Sequence, residues 1–339
     1  MMKKVLLTGI TGFLGSHTAI QLLEKGYEVV GTLRDHERSA SIRQVIVAHT
    51  DKVEHLYLEE IDLLSDLTKW EEVMEGIDYV MHIASPFPTA LPKHENDLII
   101  PAKQGTLSVL KAATAKGVKK VVLTSSAGAI VYGVSRDKQF DETDWTDETN
   151  RRDTTPYFRS KTIAEKAAWQ YIENTPNAPQ LVTIQPGGII GPVLEKDFGT
   201  SANLVKKLID GSVPALPNIK LELVDVRSVA NLHIKAMEDD KANGERFIAA
   251  NGLCSFKDVA DVLRKKYPDR KIPSKMLPNW LVRMFSLIDK EMRPLLLELG
   301  ANRSLNTEKA TQHLGWQPIP LQQGIIDCAE SLINLKIVK

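Results

Sequence analysis

The stretch Val5-Leu6-Leu7-Thr8-Gly9-Ile10-Thr11-Gly12-Phe13-Leu14-Gly15 decides the fold. Its aliphatic start reads as a buried strand, and from Leu14 onward apolar residues recur every three or four positions, the period of a helix. Three glycines sit at the junction. Gly9 permits a tight turn, Gly12 lets the backbone approach a pyrophosphate, and Gly15 lets the helix pack close to the strand. The first turn of the helix then presents free N–H groups to an anion. Glycines so placed in the first strand–helix–strand unit point to dinucleotide binding.

Outward from this turn the same alternation continues. Residues 5–8, 28–32, 53–58, 79–83, 121–124 and 181–185 read as strands, and residues 14–25, 39–48, 70–75, 97–116 and 157–173 as helices. That order predicts an α/β fold, a doubly wound parallel sheet. After Pro186, glycines and prolines (Gly187-Gly188, Gly191-Pro192, Pro214, Pro217) cut the chain into short pieces, the mark of a smaller, mixed C-terminal lobe. Residues 222–237 read as a strand followed by a helix, and residues 245–250 as a strand returning to the main sheet. The expected division is therefore a dinucleotide-binding domain of residues 1–190 plus about 225–250, and a substrate-binding lobe of about 191–224 plus 251–339. The apolar spacing of residues 280–288, continued by Met292 and Leu295-Leu296-Leu297, reads as lobe core more than as a ligand wall.

Composition removes several function classes. With 339 residues, 43 basic against 43 acidic side chains and 43% hydrophobic residues, the chain can build a large core, and disordered, collagenous and disulfide-scaffold readings fall away. Zero net charge gives no drive toward nucleic acid or an anionic membrane, so the expected partner is a small molecule; monomer and homodimer both stay open. Cys254 and Cys328 lie far apart and read as buried thiols, and the eight histidines form no HxxxH or HExxH pair, so no metal is expected. No run approaches the ~20 apolar residues of a membrane helix, and a reducing, cytosolic location fits best.

Two further patterns carry chemistry. The second strand ends in Val30-Gly31-Thr32-Leu33-Arg34-Asp35, with Arg38 one helical turn on. A carboxylate at this strand end would hold the ribose 2′-OH of NAD, whereas a guanidinium suits a 2′-phosphate, so Arg34 favours NADP(H). Asp62-Leu63 follows the third strand, placed to hold and flank an adenine. The fifth strand ends in Thr124-Ser125-Ser126, and Tyr157 and Lys161, four residues apart, share a face of the helix that follows. A phenol has a pKa of about 10, and acid–base work near neutrality needs ~4 kcal/mol of phenolate stabilisation, for which the Lys161 ammonium is the natural source. Ser126, at the carboxyl end of a central strand, is placed to hydrogen-bond a carbonyl oxygen.

On these residues the chain resembles an extended short-chain dehydrogenase/reductase, of the subgroup containing dihydroflavonol 4-reductases, cinnamoyl-CoA reductases and yeast-type methylglyoxal or carbonyl reductases. The GxxGxxG spacing of Gly9, Gly12 and Gly15, the trio Ser126, Tyr157 and Lys161, the run YFRSKTIAEKAAW from Tyr157, Val224-Asp225-Val226-Arg227, and Leu314-Gly315-Trp316 with Pro318 carry the likeness. The resemblance implies a Rossmann sheet and NADPH-dependent reduction of an aldehyde or ketone. In it Ser126 polarises the carbonyl, Tyr157 gives the proton and Lys161 holds the ribose hydroxyls. It also implies a cofactor site: Thr8, Gly9, Thr11, Gly12, Phe13, Leu14 and Gly15 around the pyrophosphate, Arg34 and Arg38 at the 2′-phosphate, and Asp62 and Leu63 at the adenine. Ala84 and Ser85 would stand on the ribose side, and Pro186, Gly188 and Ile189 at the carboxamide.

The chain departs from sugar-nucleotide relatives, having Pro101-Ala102-Lys103-Gln104 where many carry an asparagine, which disfavours an NAD-retaining nucleotide-sugar epimerase or dehydratase. A non-catalytic NADP sensor would not need Tyr157 and Lys161. Phe87, Tyr132 and Phe140 read equally as cleft lining or as core. Trp145 reads as a packing anchor, and residues 141–144 as a solvated loop.

Overall fold

The computed structural model describes residues 2–86, 92, 94–196, 198–199, 202–288 and 294–338. Its first half alternates regularly: β1 (Lys4–Thr8), α1 (Phe13–Glu24), β2 (Glu28–Leu33), α2 (Arg38–Val47), β3 (Leu56–Glu60), α3 (Leu67–Val73), β4 (Tyr79–His82), α4 (Asn96–Ala115) and β5 (Lys120–Thr124). A short β6 (Asp137–Phe140) precedes α5 (Pro156–Asn174) and β7 (Gln180–Pro186). The later elements are β8 (Gly188–Ile190), α6 (Ala202–Ile209), β9 (Leu216–Pro217), β10 (Lys220–Asp225), α7 (Val226–Glu238), β11 (Arg246–Ala249), β12 (Leu253–Ser255), α8 (Phe256–Lys266), β13 (Met276–Leu277), α9 (Asn279–Ile288), β14 (Asn302–Leu305), α10 (Glu308–Leu314) and α11 (Leu321–Asn334).

Seven strands form one parallel sheet in the order β11-β7-β5-β4-β1-β2-β3, the expected doubly wound arrangement. Both faces are covered, so a central strand is apolar at successive positions. Val5 and Leu7 point into a core shared with α1, α2 and α7, while Leu6 points into a second core built with α3, α4 and α5. Beyond this sheet, β8, β10 and β12 make a three-stranded sheet packed with α6, α8 and α11 around Val205, Leu208, Leu263 and Cys328. Both cysteines are buried and unpaired. Among the described residues no helix is long and apolar enough to cross a membrane.

Several expectations shift. The strand expected at residues 53–58 runs over Leu56–Glu60, because its register with β2 pairs Val29 with Leu56 and Leu33 with Glu60, and residues 53–55 form a single 3₁₀ turn. Helix α3 begins earlier than residue 70, where the Asp66 carboxylate accepts the Lys69 N–H at 2.9 Å and caps it. The strand opening the 222–237 segment joins the small sheet, while β11 returns to the main one beside β7. The pairing of β6 with β14 was not expected.

Helix α9 buries Val282 and Ser286 but leaves Trp280, Met284 and Leu287 exposed, so its apolar face is only partly lobe core. Met292 and Phe87 lie outside the described residues. Tyr132 and Phe140 belong to a core cluster with Ile130, Ile248 and Leu305. The loop of residues 141–144 is not fully solvated: Glu142 is buried and accepts the Ile248 N–H at 3.1 Å. The adjoining Trp145 carries the Arg246 guanidinium 3.8 Å from its ring centre, an anchor as expected.

Candidate active site

The carboxyl ends of the parallel strands bring the expected residues to one edge of the sheet, where ligands of open α/β sheets bind. At the end of β1, Gly9 adopts φ +74°, and a Cβ on Gly15 would lie 2.0 Å from the Gly9 carbonyl oxygen. No other residue type fits the latter position without moving the turn. Gly12 caps α1 without a side-chain hydrogen bond, so Phe13, Leu14 and Gly15 open a helix whose first N–H groups face outward beside Thr11. Gly31 on β2, to which no role was assigned, belongs to the same construction: a Cβ there would meet Ile10 at 2.3 Å.

Thr8, expected around the pyrophosphate, ends β1 just before the glycine turn. Its side chain is buried, shares a 2.9 Å hydrogen bond with His82 Nδ1 and accepts the Ala84 N–H at 3.0 Å. The hydroxyl thus fastens the end of β4 to the glycine turn, holding Ala84 and Ser85 beside it. Burial and the nearby Lys161 charge push His82 down to about 3, so the ring is neutral.

At the end of β2, Arg34 is exposed and among the described residues has no hydrogen bond or ion pair, while Asp35 takes the Glu37 N–H instead. Arg38 starts α2 and reaches the Glu195 carboxylate at 2.7 Å and Ser41 Oγ at 3.2 Å. Asp62, past the end of β3, accepts the Leu64 N–H at 2.8 Å, and Leu63 faces Gly105 of α4. Pro186 closes β7, and Gly188 and Ile189 open β8, half-buried. Between them Gly187 leaves room for β10, whose Glu222 carbonyl would lie 2.5 Å from a Cβ there.

Ser126 is the second residue past the end of β5. Its Oγ accepts the Gly128 N–H at 3.0 Å, and the hydroxyl lies near enough to the Tyr157 phenol to favour its ionised form. Thr155 caps α5, accepting the Phe158 N–H at 3.2 Å, and Pro156 occupies the first turn, which fixes where Tyr157 emerges. Lys161, one turn on, is buried and donates to the Thr124 carbonyl at 3.3 Å.

The electrostatics correct one expectation. Burial pushes the Tyr157 phenol up to about 12, opposed by the Ser126 hydroxyl, and pushes Lys161 down to about 8, opposed by Glu165. Desolvation by burial is the largest cause of both shifts. Tyr157 is therefore held as a protonated acid.

Behind this trio lies a group the sequence reading missed. Glu165, fully buried, accepts from Ser125 Oγ, from Thr183 Oγ1 at 3.0 Å, from Gln185 Nε2 at 2.7 Å and from Arg246 Nε at 2.8 Å. The available signal was its spacing, four residues beyond Lys161 and eight beyond Tyr157, on one helix face.

Comparisons with known proteins give the family. Residues 5–250 match the model of a family described as the NAD dependent epimerase/dehydratase family. The chain is 34% identical over 337 residues to cinnamoyl-CoA reductase CAD2 of Medicago truncatula, covering 98% of this chain and 96% of that one. It is 32% identical to the bifunctional dihydroflavonol 4-reductase/flavanone 4-reductase of Malus domestica, with coverage of 99% and 98%. Among solved structures, yeast methylglyoxal/isovaleraldehyde reductase Gre2 complexed with NADPH superposes with a TM-score of 0.81 at 25% identity, over 99% of this chain and all of that one.

Proposed function

The chain belongs to the NAD dependent epimerase/dehydratase family and is an NADPH-dependent reductase of carbonyl compounds; we propose that Ser126, Tyr157 and Lys161 carry the reduction of an aldehyde or ketone. The observation that carries this reading is the placing of Ser126 beside the Tyr157 phenol, with Lys161 one helical turn away, at the same sheet edge as the glycine turn.

The residues present suit the dinucleotide. The glycine turn leaves a cradle that side chains would fill, the start of α1 has no side-chain cap, and Arg34 has no partner among the described residues. In this reading Thr11 through Gly15 and the backbone of Gly9 hold the pyrophosphate, Arg34 and Arg38 the 2′-phosphate, and Asp62 and Leu63 the adenine. Ala84 and Ser85 stand beside the ribose, and Pro186, Gly188 and Ile189 at the carboxamide. When bound, NADPH supplies a hydride to the carbonyl carbon.

The chain's own groups do the rest. Two neighbouring hydroxyls converge on the carbonyl oxygen, Ser126 polarising it and Tyr157 protonating it as negative charge develops. A phenol held near 12 keeps that proton at neutral pH until the oxygen becomes basic enough to take it. Lys161 contributes its charge to ribose binding and to the phenolate left behind. We place the reaction in the cytosol, which suits two unpaired, buried thiols.

The test is NADPH oxidation followed against a panel of aliphatic, aromatic and α-dicarbonyl compounds. Consumption of NADPH with formation of the alcohol is expected; a stable, NADPH-binding protein that reduces none of them would overturn the reading.

A further inference from the structure

The Lys161 ammonium and the Glu165 carboxylate stand one turn apart on α5, both buried, and both line a small cavity with Ser125, Thr124, Thr106 and Ser85. Glu165 is the most heavily coordinated of the acids near the site: Ser125, Thr183, Gln185 and Trp169 donate to it, and Arg246 forms an ion pair with it. Four of these donors come from other elements, β7 and β11 and the turn after β5, so the carboxylate is fixed against the sheet rather than free to swing. Burying such a group costs free energy unless it is paired, and one guanidinium at one oxygen leaves the second oxygen to Ser125 on the side of the strand end that carries Ser126.

We propose that Glu165 is a positioning residue of the reductase site: its carboxylate is the countercharge that keeps Lys161 an ammonium, and its bond to Ser125 holds the strand end from which Ser126 projects. This rests on the reading of Lys161 as the charged partner of Tyr157. The other ionisable groups around the pair do not supply this charge. His82 on β4 and His233 on α7, whose Nε2 meets Thr124 Oγ1 at 2.7 Å, are both held neutral by burial. Tyr157 is a neutral phenol, and Arg159, two residues before Lys161, is engaged with Glu95, which precedes α4, at 2.7 Å. Arg246 on β11 faces Glu165 from the far side and moderates its field. Glu165 is thus the anion that opposes the desolvation of Lys161.

The test reads the Lys161 amine directly, by NMR of protein carrying ¹⁵N-lysine, titrated without cofactor and assigned by the signal that Lys161→Met removes. Glu165→Gln should lower that titration by about one pH unit or more, and the alkaline limb of kcat/KM for carbonyl reduction should move down with it. Glu165→Asp, which retains the charge, should leave the titration near its wild-type position. Because Glu165→Gln strands a buried guanidinium and risks misfolding, Glu165→Gln/Arg246→Met, which removes both charges, serves as the second variant and should show a downward shift that is smaller but of the same sign. A lower melting temperature with an unmoved Lys161 titration in a folded variant would make Glu165 merely structural and overturn the proposal. If Lys161→Met removes no signal titrating near pH 8 and leaves the pH profile unchanged, the reading of Lys161 itself fails instead.

Discussion

The glycine turn after β1 and the catalytic end of α5 face the same edge of the sheet, yet they are built by opposite means. The turn works by omission: side chains are missing at Gly9, Gly15 and Gly31, where backbone or Ile10 takes their space. The end of α5 works by inclusion, with Lys161 and Glu165 driven into the interior and satisfied by carbonyl, hydroxyl, amide and guanidinium partners. A site made by omission is sensitive to volume and indifferent to pH. One made by buried charge is sensitive to pH and to substitutions that remove a charge even at constant volume.

The sharpest way to break this contrast is Gly15→Val. Its Cβ would start 2.0 Å from the Gly9 oxygen, so NADPH binding by fluorescence titration should be lost at every pH; normal binding would show that the turn does not depend on omission. Next in size is Tyr157→Phe, which keeps the ring and removes the transferable proton. Reduction should slow ~10²–10⁴-fold with NADPH affinity and melting temperature nearly unchanged, and an undiminished rate would remove Tyr157 as the acid.

Arg34→Glu should weaken NADPH binding about 10–100-fold relative to NADH; an unchanged ratio of the two dissociation constants would return Arg34 to the solvent. The smallest expected effect needs no substitution. With its pKa lowered from the usual 10.5 to about 8, Lys161 is charged below that pH and loses its proton above it, while Tyr157 stays protonated. The rate of carbonyl reduction should therefore decline as pH rises through about 8, and a flat profile up to pH 10 would mean that the ammonium contributes nothing.

The same contrast explains what the sequence made legible. Omission leaves a local mark, and Gly9, Gly12 and Gly15 in eleven residues were enough to place the turn, its strand and its helix. Tyr157 and Lys161 were equally readable, since i,i+4 spacing fixes a helix face without tertiary information. Their pKa values were not, because desolvation depends on what α4, β5 and β7 bring from elsewhere, and the expected pull of Lys161 on the phenol lost to burial. Glu165 lay on the readable face, but only the folded sheet brings Arg246 to it across 81 positions. In α9 the period disclosed an apolar stripe without saying which part would be covered, so Trp280 and Leu287 were read as core although they face solvent.

The pairing of β6 with β14 has a bearing on how the molecule is made. It joins Phe140 to Leu305, and two positions before Leu305 the Arg303 guanidinium grips the Asp153 carboxylate at 2.6 Å, just ahead of the Thr155 cap of α5. Contacts this distant in sequence form late, since the loop between them must close first. A nascent chain can therefore finish its glycine turn while the segment that seats the Tyr157 helix still awaits residues beyond 300, so capacity to hold a dinucleotide should precede capacity to turn one over.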